Sequence, residues 1–139
     1  MSELELLLAS YGKAVFEKDQ EALLLLFDEE VRIFDMWGRW SYDGLPAWRD
    51  MVTTWFSSLG ALRDRLTFEA VEFLSVGDLA TVTAIARFAA VSPEGEELRF
   101  LHNRITLVVC KKPSGWKIVH QHTSAPVDPE TLKAMLQLR

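Results

Sequence analysis

The chain has 139 residues, 49% of them hydrophobic and 25% charged, which fits one domain over residues 1–139 with its own buried core. Fifteen Lys and Arg against twenty Asp and Glu leave a net charge of −5, so the sequence lacks the basic footprint that nucleic acid or an anionic membrane demands. Its one cysteine, Cys110, excludes an internal disulfide and a thiolate metal cluster, and fits a reducing, cytoplasmic setting.

The N-terminal stretch is acidic at Glu3 and Glu5, where a signal peptide is basic. Ser2 followed three residues later by Glu5 reads as a capping box. Leu4, Leu7, Leu8, Tyr11, Ala14 and Val15 then recur at helical spacing. Asp19 reads as the cap of a second, short helix running through Leu26 and Phe27. Residues 31–35 read as a strand and 37–44 as a loop. A third helix follows, with Pro46 in its first turn, an apolar stripe of Trp48, Val52, Trp55, Phe56 and Leu59, and Gly60 at its end. Four strands are expected over 66–76, 79–91, 97–111 and 116–125, separated by turns at Gly77-Asp78, at 92–95 and at 113–115. Asp128 reads as the cap of a tail helix over 130–138.

Helices first and consecutive antiparallel strands after them indicate an α+β domain with the helices on one face of a sheet. Long strands in a bent sheet can curl around a helix and enclose a cavity.

The order of elements, Tyr11 in the first helix, the segment Val31-Arg32-Ile33-Phe34-Asp35 and the ending Gly115-Trp116-Lys117-Ile118-Val119-His120-Gln121-His122-Thr123-Ser124 resemble the SnoaL-like branch of the nuclear-transport-factor-2-like superfamily. The ending is also similar to that of the association domain of calmodulin-dependent protein kinases. The resemblance covers nearly the whole chain and implies a cone: a curved antiparallel sheet wrapped around N-terminal helices, with a pocket inside. The superfamily hosts ketosteroid isomerases, polyketide cyclases, dehydratases, epoxide hydrolases and non-catalytic assembly modules, so function has to come from the site.

Asp35 stands where the isomerases carry their general-base aspartate. There a partly desolvated carboxylate can take a proton alpha to a carbonyl; the alternative is a cap on a strand-end turn. Tyr11, eight positions before Asp19, matches their oxyanion-hole tyrosine, or is a buried aromatic whose hydroxyl finds a local partner. Leu107 replaces their second oxyanion donor, which argues against steroid isomerisation. His120 and His122 lie two apart, on the strand face shared by Trp116, Ile118 and Ser124, and are therefore expected to point inward. There they can serve as acid, base or ligand, or as polar core. No third ligand is defined, and neither a metal nor a cofactor is assigned. Arg87 and Arg104 match pocket arginines of the kinase association domain, although strict alternation turns Arg104 outward. Trp37, Trp40 and Trp55, with Ser124, are candidates to line the pocket; Trp48 and Trp55, at helical spacing, also fit a core.

Two functions are consistent with these residues. One is acid–base catalysis (isomerase, cyclase or hydrolase type) on a small, mostly apolar substrate. The other is a non-catalytic module that binds a small anionic ligand through an inward Arg87 or only dimerises. The Thr, Val and Ala of strand 79–91 suit a homodimer built through the sheet face.

Overall fold

The structure is a computed structural model and describes residues 1–138. In chain order it has α1 (Glu3–Glu17), α2 (Gln20–Leu24), β1 (Phe27–Phe34), β2 (Tyr42–Asp43), α3 (Leu45–Leu59), β3 (Arg63–Val76), β4 (Leu79–Val91), β5 (Glu97–Lys112) and β6 (Gly115–Ser124). Ser2 Oγ accepts from the Glu5 backbone N–H, and Asp19 from that of Ala22, as the capping residues predict. The expected reciprocal half of the capping box is not formed: the Glu5 carboxylate meets the Ser2 hydroxyl instead of its backbone. Helix α2 is shorter than its apolar run suggests. Phe27 pairs with Ile118 and Leu26 O accepts from Ile118 N, so the sheet claims the end of that run.

The six strands form one sheet in the order β2-β1-β6-β5-β4-β3. Strands β3 to β6 make an antiparallel meander, as expected. The sheet is nonetheless mixed, not wholly antiparallel, because the meander returns β6 alongside β1 in the same direction. Helix α1 lies in the concave face, where Leu7, Tyr11, Ala14 and Val15 are buried against the strands. Strand β4 offers Ala80, Ala84, Ala86 and Ala90 to that face. Such short side chains let the sheet close around the helix. An extra residue at Ala70, with φ of 52°, bends β3, and further irregularities interrupt the β1–β6 and β5–β6 ladders.

The tail helix expected over 130–138 does not form. Asp128 does cap, accepting from Glu130 N and Thr131 N, but Leu132 takes a φ of 60° and closes the turn. The following residues run along the first part of β5, which β6 leaves unpaired where it ends at Ser124; there Leu136 O accepts from His102 N and Gln137 Nε2 donates to Phe100 O. An unpaired strand edge outcompetes one isolated helical turn for those backbone groups.

Candidate functional site

A cavity of about 500 Å³ opens between α1, α3 and the concave face. Its wall is largely aromatic, with Tyr11, Tyr42, Trp48, Trp55 and Phe88, and Trp37 stands at its rim, half exposed. Two carboxylates enter this space. Asp35 follows the last residue of β1, so its side chain leaves the sheet at the cavity mouth. Its Oδ1 accepts from Thr123 Oγ1 at 3.1 Å, and the backbone N–H of Trp37 donates to the carboxylate. Burial raises its pKa above the ordinary carboxylate value of 3.8 despite both bonds. No Lys, Arg or His forms an ion pair with it among the described residues.

The second carboxylate is Asp64 at the start of β3. Trp55 Nε1 donates to its Oδ2 at 2.9 Å. Burial raises its pKa too, against the opposing pull of that bond and of Arg99, whose side chain also lines the cavity.

Tyr11 is 4% exposed, and its hydroxyl donates to Gln121 Oε1 at 2.8 Å. Burial, the main cause, and the nearby Asp35 push its pKa well above the usual phenol range. Its ring meets Phe27 and Phe68 edge-on, which holds the hydroxyl in one place.

The structure thus brings Asp35, Tyr11, Trp37 and Trp55 to one cavity and leaves the other sequence candidates outside. His120 and His122 are the main correction. Trp116 packs against the core and Ile118 is fully buried, but Val109 pairs with Ile118 while Val108 pairs with His120, leaving Val119 as an extra residue. Beyond that bulge the alternation reverses, so Gln121 and Thr123 face the cavity and both histidines face outward. His120 Nδ1 lies 2.6 Å from Arg32 O, and both imidazoles stand edge-on to Phe34. Ser124 and Trp40, also expected at the pocket, instead border a second, more open groove of about 720 Å³ with His122 and Arg32, which Asp35 and Thr123 also line, and Trp40 is 96% exposed.

Arg87, expected at the pocket by resemblance, lies on the outer face, bonded to Glu97 and stacked 4.3 Å above Phe100. Arg104 faces outward, as strict alternation indicated, and donates to Ser124 Oγ at 3.0 Å. Among the described residues no group of three His, Cys, Asp or Glu side chains converges to hold a metal.

Five polar cavity residues escape the sequence reading: Asn103, Gln121, Thr123, Asp64 and Arg99. The first three are buried polar side chains on strands, a signal visible only once the bulge fixes which face is inside. Asp64, between Arg63 and Arg65, carries no sequence signal at all.

Residues 4–128 match the SnoaL-like domain family. Among solved structures, the chain is similar to an NTF2-like protein of unknown function from Pseudomonas putida KT2440, with a TM-score of 0.87, 21% identity and coverage of 99% of this chain and 94% of that one. It is also similar to an NTF2-like superfamily protein from Salmonella enterica serovar Typhimurium (TM-score 0.72, 20% identity, covering 96% of each chain). A third similar structure is a ketosteroid isomerase-like protein from Erwinia carotovora atroseptica (TM-score 0.68, 16% identity, covering 86% of this chain and 91% of that one). The sequence matches no curated protein.

Proposed function

The chain belongs to the SnoaL-like domain family, and from that premise we propose that its cavity binds a small, mostly apolar carbonyl compound on which Asp35 acts as general base and acid. The observation that carries this reading is a carboxylate with a raised pKa and no cationic partner, inside an aromatic-walled cavity. Burial moves such a group toward the proton affinity that acid–base work requires, whereas a cation beside it would favour the carboxylate. The non-catalytic alternative relied on an inward Arg87, which is instead paired with Glu97 on the other side of the sheet; the arginine that does line the cavity, Arg99, acts on Asp64 and forms no ion pair with Asp35. Tyr11 and Gln121 supply the neighbouring polar end.

The test is deuterium exchange at the α-carbon of a panel of cyclic ketones in D2O, followed by NMR. The parent should exchange at least one of them, and Asp35→Asn should lose about 10²–10⁴-fold in rate while still quenching tryptophan fluorescence on binding. Equal rates in parent and variant contradict the proposal.

Self-association is proposed on a separate observation. The outer face of β4 and β5 exposes or half-exposes Thr81, Thr83, Ile85 and Val108, with Glu69 and Glu72 toward one side and Arg32 and Arg104 toward the other. A two-fold copy would set acid against base across that apolar middle. Monomeric sedimentation at micromolar concentration would contradict it. The cytoplasm, on the single cysteine, and a partnership with neither nucleic acid nor membrane, on the net charge of −5, remain part of the proposal. No helix among the described residues is long and apolar enough to cross a membrane.

A further inference from the structure

We infer that Gln121, not Tyr11, is the group that donates a hydrogen bond to the ligand's carbonyl oxygen, and that Tyr11 is the positioning residue that aims it. This deepens the proposed function, since it names the second half of the site in which Asp35 would act.

The geometry assigns the two ends of the Gln121 amide to different tasks. Its Oε1 receives the Tyr11 hydroxyl proton at 2.8 Å. The hydroxyl has thereby spent its one proton, and what it can still offer a ligand is a lone pair. A lone pair repels a carbonyl oxygen, so Tyr11 in this arrangement is no oxyanion donor.

The other end of the amide is free. Gln121 Nε2 has no hydrogen-bond partner among the described residues, yet it is not one of the sealed polar atoms, which are Trp48 Nε1 and Asn103 Oδ1. Gln121 is 2% exposed and lines the cavity, so the opening that Nε2 meets is the cavity itself. A buried amide N–H with no partner is a binding group awaiting an acceptor.

Position adds to this. Gln121 and Thr123 lie two apart on β6, on one face, and Thr123 holds Asp35. The base and the donor therefore project from one wall into one space. With a ketone bound there, Asp35 takes a proton from the α-carbon, the C–H electron pair forms the enolate C=C bond, and the carbonyl π pair moves to oxygen. The Gln121 N–H then meets the charge that develops. Return of the proton from Asp35 to carbon closes the cycle, with no further reactant consumed. Such a donor counts most when it is fixed before the reaction, and the Tyr11 bond fixes it.

The ligand class follows: a ring-sized apolar body bearing a carbonyl or enolate-like oxygen. The probe is 2-naphthol, whose oxygen sits on a flat apolar frame, with naphthalene as the control that lacks the oxygen. Binding is read by tryptophan fluorescence. Gln121→Leu should weaken 2-naphthol by about 10- to 100-fold and leave naphthalene within about twofold. Gln121→Met, closer in shape, should do the same, and unchanged naphthalene affinity certifies an intact cavity in both. Tyr11→Phe should cost less than Gln121→Leu, because the amide remains and only its aim is lost.

Two results overturn the inference: Gln121→Leu and Gln121→Met binding 2-naphthol like the parent, or Tyr11→Phe losing more affinity than either. Failure of α-proton exchange alongside Gln121-dependent 2-naphthol binding would refute the acid–base reading and keep this one. Exchange by the parent with Gln121-independent binding would do the reverse, and a parent that binds neither probe overturns both.

Discussion

Thr123 ties the fold to the site, and Thr123→Val is the sharpest perturbation of that tie. Its Oγ1 accepts from the backbone N–H of Met36 at 2.9 Å and donates to Asp35 Oδ1 at 3.1 Å. Valine keeps the branched shape a buried strand position prefers and removes both bonds. The two partners respond differently. Asp35 opens on the cavity and can regain its bond from water or by taking up a proton. Met36 N–H sits in a half-buried turn and is left unpaired, which costs about 1–3 kcal/mol. Unfolding a domain of 139 residues releases about 0.3 kcal/mol/K of entropy, so the melting temperature should fall by about 3–10 °C. Circular-dichroism melts at neutral pH measure this, and Thr123→Ser, which retains the hydroxyl, should recover most of the loss. The same substitution removes the side-chain bond that holds the Asp35 pKa down, so the pH profile of α-proton exchange should shift to the alkaline side. A Thr123→Val protein that melts with the parent would refute the reasoning, because Met36 N–H would then have another partner.

Gly12 lies mid-way along α1, where a methyl group would meet Leu66 O at 2.9 Å; helix propensity favours alanine there by about 1 kcal/mol and overpacking costs about 1–3, so Gly12→Ala should lose up to about 2 kcal/mol in urea melts, and a gain would contradict the close approach of α1 to β3. Burial raises the pKa values of both Asp35 and Asp64 above 3.8, so the fold favours their protonated forms. Their stabilising contribution is full below about pH 4 and is lost as pH rises through the raised values. Asp35→Asn and Asp64→Asn should therefore match the parent's stability at acid pH and exceed it progressively toward neutral, as thermal melts across pH 3.5–8 would show; a gain confined to acid pH would reverse the assigned sign.

Much of the architecture is local and was legible as sequence. Ser2 and Asp19 cap helices because a short side-chain oxygen reaches the first free N–H groups, an interaction spanning three residues. The stripe of Leu7, Tyr11 and Val15 faces inward by helical period alone, and Gly77 and Gly115 mark hairpin turns through their positive φ. Asp35 was visible because sequence pattern can locate the end of a strand, and the resemblance to the isomerases implies a general base at that place. What only the tertiary structure decided depends on contacts between distant residues. One extra residue, Val119, moves His120 and His122 outside and brings Gln121 and Thr123 in, and no local preference marks a valine as a bulge. The parallel pairing of β6 with β1 follows from where the meander returns, and the tail gives up its helix to the open edge of β5. The aim of the Gln121 amide rests on Tyr11, 110 positions away in the chain. Periodicity has a range of a few residues, whereas the choice of inner face is made by pairing and packing across the whole fold, and it is this choice that determines which polar groups the cavity receives.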